Sequence, residues 1–343
     1  MTFRAFLSLL RGGQIRVLGS LSKAARDYHR VAFLAAGLTS GLLRRLAVGP
    51  VALDALATDP QIDPGMHDGL KAWLQAGVAL GELGLQPDGY VVRGKLARAL
   101  TDPNNDAAAA FVEELAYLHN TLITQSPERL RADHPFTLAD QNARMIARSS
   151  RLVEPFIYEA LAGVVPKHGP VRLLEIGCGA AAYIRSAALR NPELTAVGVE
   201  LQAEAAALAT ENIARWNLGA RVSIEAGDIR RRKPDASFDV ATLHQNIYYF
   251  PVAERTGLLC HVRSFLKTGG RLLLTTVCQG RGSTAAVLDL WGAMTAGCGR
   301  LPEPTEMVAQ MEKAAFAGVT ARSLIPRESF YAFVGTNPSS ERP

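Results

Sequence analysis

Two glutamates and two glycines form the most chemically loaded pattern in this sequence. Glu175-Ile176-Gly177-Cys178-Gly179 follows the apolar run Val171-Arg172-Leu173-Leu174, and Glu200 closes a second apolar run, Ala196-Val197-Gly198-Val199. Glycines let a backbone turn sharply and approach a ligand with no Cβ in the way, and a carboxylate at the end of the following strand can accept hydrogen bonds from a ribose diol. The pattern asks for a nucleoside. The dinucleotide form of such a loop, G-x-G-x-x-G/A, tolerates Ala182 at its third small position, so the loop by itself leaves a nicotinamide dinucleotide open. Glu175 speaks against one, because an acid at the strand end stands where the charge of a pyrophosphate would come close. His244, after the apolar run Val240-Ala241-Thr242-Leu243, adds a group that titrates near neutrality at the end of another strand.

Elements that could position these groups alternate from Val171 onward as strand and helix, which implies a parallel sheet covered on both faces. Near the end of the chain, Ala321–Ile325 and Ser329–Val334 read as two short strands joined by Pro326-Arg327-Glu328, a link so tight that only an antiparallel pair can follow. Before Val171 the pattern is helical. Apolar residues recur at helical spacing from Leu18 to Leu46, interrupted by Gly37 and Gly41, then at about 51–57 and 65–81, the last with Leu70, Trp73, Leu74, Val78 and Leu80 on one side. Two extended pieces around Pro87-Asp88-Gly89 follow, and helix, helix, hairpin is the order of a winged helix. Residues 101–150 read as helical again, with Phe111, Leu115, Leu118 and Leu122 on one face.

The chain has 343 residues, 48% of them hydrophobic and 20% charged, enough apolar side chains for two cores and neither a disordered nor a fibrous composition. Its net charge of +5 is concentrated: residues 1–50 hold eight Lys/Arg and one Asp/Glu, a net of +7, which leaves −2 for the remainder. Four dispersed cysteines, Cys178, Cys260, Cys278 and Cys298, suggest neither a zinc site nor a disulfide framework, so no metal is expected and a cytoplasmic location is.

From the glycine turn onward the chain resembles the class I S-adenosylmethionine-dependent methyltransferases, whose first motif is an acid followed by spaced glycines. Glu175, Gly177 and Gly179 match that motif, with Ala181 where the pattern has a third glycine. Further pieces fall in order: Ala226-Gly227-Asp228-Ile229 at the third strand end, where the family's Asp reaches the adenine amine; Ser237–Leu243 as the fourth strand; and Leu266-Lys267-Thr268-Gly269-Gly270 leading into the fifth. The terminal hairpin is typical of that family's sheet and absent from the dinucleotide-binding relative. The resemblance covers about residues 150–336. It implies a Rossmann-like α/β domain with a mostly parallel seven-stranded sheet over 151–337, a helical connector at 106–150, and S-adenosyl-L-methionine held by Glu175, Gly177, Cys178, Gly179, Glu200, Leu201, Gly227, Asp228, Ile229 and His244. Residues 1–105 are similar to the winged-helix-like dimerisation domain of small-molecule O-methyltransferases, on Leu42–Pro50 and Ala76–Leu85, which implies a homodimer.

In those enzymes a histidine after the fourth strand takes the proton from the substrate hydroxyl. Here its position is Tyr248, followed by Tyr249-Phe250-Pro251, and His244 lies four residues earlier. His244 is one candidate base and Tyr248 a candidate base or substrate-orienting hydroxyl; a phenol of ordinary pKa about 10 needs help to act as a base. Gln245, Asn246, Tyr249 and Trp291 are candidate substrate contacts, Trp291 from a stretch, Cys278–Pro304, that could form a lid over an apolar acceptor. Methyl transfer is an in-line displacement at an already activated carbon, so positioning can supply much of the catalysis, and an amine, acidic phenol or enol needs no strong base. The expected activity is methyl transfer to a small molecule at O, N or C, with O favoured. The alternatives are a nucleic-acid methyltransferase and a regulatory protein that binds the cofactor without turnover. Against the first, His244-Gln245-Asn246-Ile247 is unlike the Asn-Pro-Pro-Tyr segment that cradles a flipped adenine. The basic N-terminus, with Phe3, Phe6, Leu7 and Leu10 in one stripe, reads first as an arm packing across a dimer and second as a weak membrane-surface contact.

Overall fold

The computed structural model of the chain describes Gly12, residues 14–58 and residues 62–338. The stripe expected at Phe3–Leu10 lies outside the described residues. Two compact units emerge: Met1–Thr124 with Gln141–Leu152, and Gln125–Asp140 with Val153–Pro343.

The first unit holds α1 (Gln14–Thr39), α2 (Leu42–Val48), α3 (Leu53–Ala57), α4 (His67–Leu80), the hairpin β1 (Leu83–Gln86) and β2 (Gly89–Val92), α5 (Lys95–Thr101), α6 (Asp106–Glu114), a π-helical turn at Leu115–His119, the first residues of α7 (Asn120–Ala132), whose remainder from Gln125 belongs to the second unit, and α8 (Ala143–Ser149). Of the two glycines expected to interrupt the first helical run, only Gly41 does, in the left-handed region at φ 78. Gly37 stays inside α1, because its missing Cβ lets Leu43 and Trp73 close on the helix: a methyl there would sit 2.5 Å from Leu43 Cγ. Leu34, Leu38, Leu43, Leu46, Leu56 and Leu74 form the core beneath. The first half of α1 is different: Val17, Leu18, Leu21 and Tyr28 are each 48–65% exposed. Among the described residues no single helix is long and apolar enough to cross a membrane.

The second unit continues with α9 (Glu154–Ala162), β3 (Val171–Ile176), α10 (Ala182–Arg190), β4 (Leu194–Glu200), α11 (Ala203–Arg215), β5 (Val222–Ala226), β6 (Phe238–His244), α12 (Val252–Arg263), β7 (Leu266–Val277), α13 (Ser283–Met294), α14 (Pro304–Lys313), β8 (Ala317–Ser323) and β9 (Phe330–Thr336). Its seven strands run in the order β5-β4-β3-β6-β7-β9-β8. Pairs among β3 to β7 are parallel, and β9 lies antiparallel to both β7 and β8. Alternate residues feed two cores, Leu174, Ile176 and Leu274 on one face with Leu259 and Met307, and Leu173 and Leu273 on the other with Leu161, Ile184 and Ile213. That double burial explains why the central strands read as unbroken apolar runs. The strand order reverses between β3 and β6, so the crevice at their carboxyl ends is where an open sheet of this kind takes a ligand.

Candidate functional site

At the end of β3 the chain turns over the end of β4. Gly177 and Gly179 adopt φ 68 and 51, and the amides of Gly177 and Cys178 donate to the Val199 carbonyl at 2.8 and 3.2 Å. Cys178 is buried beneath the turn, and bare Gly198 makes room for its sulfur, since a Cβ there would lie 2.8 Å from Sγ. Ala181, where the resemblance has glycine, is also left-handed at φ 63, but its methyl is fully buried among Ile184 and Ala188, and that burial offsets strain of roughly 1–2 kcal/mol.

Glu200 reaches back under this turn. One carboxylate oxygen accepts from the Gly179 amide at 2.9 Å and the other from the Gln202 amide at 3.0 Å, which orients the group while leaving each oxygen further lone pairs for hydroxyl donors. Beside it opens a cleft of about 540 Å³ lined by Val199, Leu201, Ala226, Gly227, Asp228 and neighbouring charged side chains, a volume within the range of small-molecule sites. Leu201 is exposed along that cleft, whereas Ile229 turns inward to the core and its carbonyl accepts from His261 Nε2 at 2.9 Å. The Asp228 carboxylate caps the amide of Arg230 and is held by the Arg230 guanidinium at 2.8 Å, which keeps it below the usual carboxylate range.

Glu175 and His244 lie outside the cleft lining, buried at the ends of β3 and β6. Neither Glu175 oxygen has a hydrogen-bond partner. Burial pushes its pKa well above the carboxylate range, with the charge of Glu200 adding to the shift; the Ile184 amide lies near enough to oppose it, but closes no hydrogen bond. Asn246 donates from Nδ2 to the Ile176 carbonyl at 2.6 Å and leaves its buried Oδ1 unpaired. His244 Nδ1 is 2.8 Å from the Thr275 hydroxyl, Nε2 is buried without a partner, and Tyr183 packs edge-on against the ring with centroids 4.7 Å apart. Desolvation pulls the imidazole down to about 3.

That shift has a stability consequence. Above about pH 6.5 the ring is neutral in both states, while between 6.5 and about 3 the unfolded chain takes up a proton that the folded ring refuses. Stability therefore falls with acidification, by about 1.4 kcal/mol per pH unit from this group. Urea melts between neutral pH and about one unit below 6.5 are expected to show that extra loss in the wild type and its absence in His244→Gln.

The other candidates divide. Tyr248 and Tyr249 sit in a single 3₁₀ turn, Ile247–Tyr249, with ring centroids 5.2 Å apart, and Trp291 of α13 stands edge-on to both at 5.9 and 5.2 Å. Trp291 is 2% exposed, and its Nε1 is buried without a partner. The Tyr248 carbonyl accepts from the Gly299 amide. Gln245, by contrast, is drawn into the sheet: at φ 54, its amide donates to the Thr275 carbonyl at 2.7 Å and its Oε1 accepts from the Val277 amide at 3.1 Å. Three residues were not anticipated. Tyr183 and Thr275 set the surroundings of His244. Fully buried Arg255 ties the Phe250 carbonyl to the Arg300 carbonyl, and burial brings its pKa down to about 10. The polar pair Thr275-Thr276 at the end of an apolar strand was the available signal for one of them.

The glycine turn on β3, the oriented Glu200 on β4, the orphaned carboxyl beneath the turn and the 5-4-3-6-7-9-8 sheet make up a Rossmann-like α/β domain whose sheet ends in an antiparallel hairpin. Residues 174–272 match the family described as a methyltransferase domain. The 27-O-demethylrifamycin SV methyltransferase of Amycolatopsis mediterranei is 29% identical over 137 residues, 39% of this chain and 47% of that protein. The demethylspheroidene O-methyltransferase of Rhodobacter capsulatus is 26% identical over 193 residues, 55% of this chain and 46% of that one. The chain thus spans about half the length of the curated relatives it matches. An O-methyltransferase family protein from Burkholderia thailandensis, 22% identical, shares the fold with a TM-score of 0.75 over 94% of this chain and 99% of its own.

Proposed function

We propose that the protein transfers the methyl group of S-adenosylmethionine to a small-molecule acceptor, with oxygen favoured over nitrogen or carbon as the methylated atom. The observation that supports this most directly is the pairing of Glu200, oriented for a ribose, with Glu175, a buried carboxyl lacking any partner. A ligand that is a nucleoside at one end and an ammonium-bearing cation at the other satisfies both. The bound donor supplies an activated methyl group; the chain's residues hold and orient it, with the Gly177–Gly179 turn making the close approach. Both curated relatives are named as methyltransferases of small molecules, demethylrifamycin and demethylspheroidene.

Isothermal titration with S-adenosylhomocysteine tests the donor site, and no binding removes this reading. Labelled S-adenosylmethionine offered with phenols, amines, keto acids and RNA tests the acceptor; label found only in RNA overturns the small-molecule assignment. A second reading, a regulator that binds the cofactor without turnover, draws support from Tyr248 at the family's base position and from the suppressed basicity of His244. It is the conclusion if S-adenosylhomocysteine binds and no acceptor in the panel is labelled.

The same proposal includes a homodimer formed through the first unit, which we read as a winged-helix-like dimerisation domain. Val17, Leu18, Leu21 and Tyr28 leave an apolar stripe on α1 that a second copy of the helix would cover. Light scattering is expected to give twice the chain mass for the wild type and the single-chain mass for Leu21→Arg, with helicity unchanged. A monomeric wild type overturns it. A cytoplasmic location belongs to this reading too, and the four free thiols suit a reducing compartment.

A further inference from the structure

Four charged side chains line the cleft beside Glu200: Glu225, Asp228, Arg231 and Arg232. Three of them are committed within the protein. The Asp228 carboxylate is filled by a single residue, since Oδ1 accepts from the Arg230 amide at 3.0 Å and from its Nε at 3.1 Å, while Oδ2 accepts from the same Nε at 3.0 Å and from Nη2 at 2.8 Å. Both lone pairs of each oxygen are thereby used. Arg230 is itself fastened elsewhere: its Nη1 lies 3.3 Å from Glu254 of α12, and its guanidinium stands 5.6 Å from the centre of the Phe250 ring. Glu225 is paired with Arg232 at 2.9 Å, and the Arg232 guanidinium lies over Phe238 and Phe265. Arg231 is different. It lines the cleft and is exposed, and its guanidinium makes no hydrogen bond or ion pair to any described residue.

The acids of the lining thus face arginines of their own, and the group left to meet a ligand is a planar donor. We propose that Arg231 reads the base of the methyl donor, donating to acceptor atoms on the edge of the purine, and that the amine of the base is not what Asp228 binds. The proposal rests on the nucleoside-donor reading above, and it departs from the role that the resemblance implies for Asp228. Val199, Leu201 and Ala226 give the base an apolar wall, which any purine satisfies. Selection among purines then falls to Arg231. A guanidinium is matched to two acceptors side by side, the pattern that N7 and a carbonyl at position 6 present, whereas adenine places an amine beside N7 and offers only one acceptor there. The cleft should therefore tolerate, and even prefer, a base without the amine.

S-inosylhomocysteine tests this, because it carries a carbonyl in place of the adenine amine and keeps the ribose and amino-acid ends of S-adenosylhomocysteine. Titration calorimetry on the wild type is expected to show the inosyl compound binding about three- to tenfold more tightly than the adenosyl one. Equal or weaker binding, as an acid holding the amine would give, overturns the proposal. Arg231→Leu is expected to weaken S-adenosylhomocysteine about fivefold and S-inosylhomocysteine about 15- to 50-fold, which leaves the two nearly equal. Glutamine pairs with the amine and N7 of adenine, so Arg231→Gln is expected to reverse the preference. A preference unchanged in either variant overturns the proposal. The Arg231 side chain is exposed, so both variants should melt with the wild type, and a change of preference between two ligands is a readout that a merely structural role would not move. Failure of both compounds to bind the wild type defeats the donor-site reading itself. Binding of both with the wrong preference leaves that reading standing and defeats only the role of Arg231.

Discussion

Glu175→Gln is expected to raise the melting temperature of the free protein by about 5 °C while weakening S-adenosylhomocysteine binding by about 30- to 100-fold. The two effects have one origin. In the folded chain the carboxyl is buried with neither oxygen paired, so it is held neutral at pH values where the unfolded chain would ionise it. A group whose folded pKa is raised contributes most in acid and loses stability as pH climbs above the unfolded value of about 4.5. At neutral pH that loss is in force, because burial holds the carboxyl neutral against the ionisation the unfolded chain would undergo. Glutamine has nothing to ionise and removes that penalty; the stated shift is what a gain of about 2 kcal/mol would give in a unit of this size. The same substitution removes the negative charge that a bound ammonium group would induce and pair with. A charge-assisted contact of that kind is worth about 2–3 kcal/mol, hence the expected fall in affinity. Differential scanning calorimetry and isothermal titration on the one variant check both halves. A variant that is less stable, or one that binds as tightly as wild type, contradicts the role given to this residue.

Glu200→Ala is expected to weaken S-adenosylhomocysteine binding by about 100-fold, close to 2.7 kcal/mol. The carboxylate accepts from the Gly179 and Gln202 amides, and in the proposed donor site its outer lone pairs are the ones offered to a ribose. Alanine loses the ribose contacts and also frees the turn that carries the approach of the ligand. Glu200→Gln can keep one oxygen on the Gly179 amide, so its loss should be nearer tenfold, with most of the binding enthalpy retained. Titration calorimetry separates the cases, and an alanine variant within about threefold of wild type would remove the ribose assignment. The melting temperature of the alanine variant should fall only slightly, because water can reach the two amides once the side chain is gone.

Much of this site could be read from the chain alone because parallel strands buried on both faces leave a strong signature. Val171–Ile176 and Leu194–Glu200 show as apolar runs, the first with Glu175 one residue from its end and the second ending in Glu200. The glycines were legible for a related reason: a left-handed turn at Gly177 with Asn246 pressed close leaves no space for a side chain. The last hairpin was placed less well. Its first strand, expected at 321–325, runs Ala317–Ser323, and almost every residue in it is exposed. An edge strand with no buried face lacks the alternation that would mark its ends, so its limits come from pairing with β9. The hydrogen bond made by His244 was not legible at all. It depends on Thr275, which lies opposite His244 on the neighbouring strand and 31 residues along the chain.

Gln245 gives the turn at Ile247–Tyr249 an unequal pair of supports. Its strained backbone, its amide and its side chain all tie the end of β6 to β7, so the turn bearing Tyr248 and Tyr249 departs from an immovable anchor. The opposing contact comes from one helix, Ser283–Met294, through Trp291. In the methyltransferase proposed above, that helix could be remodelled for a new acceptor while the Gly177–Gly179 turn and the His244–Thr275 pair stay untouched, so that diversification of substrate and retention of the methyl donor would be mechanically separable.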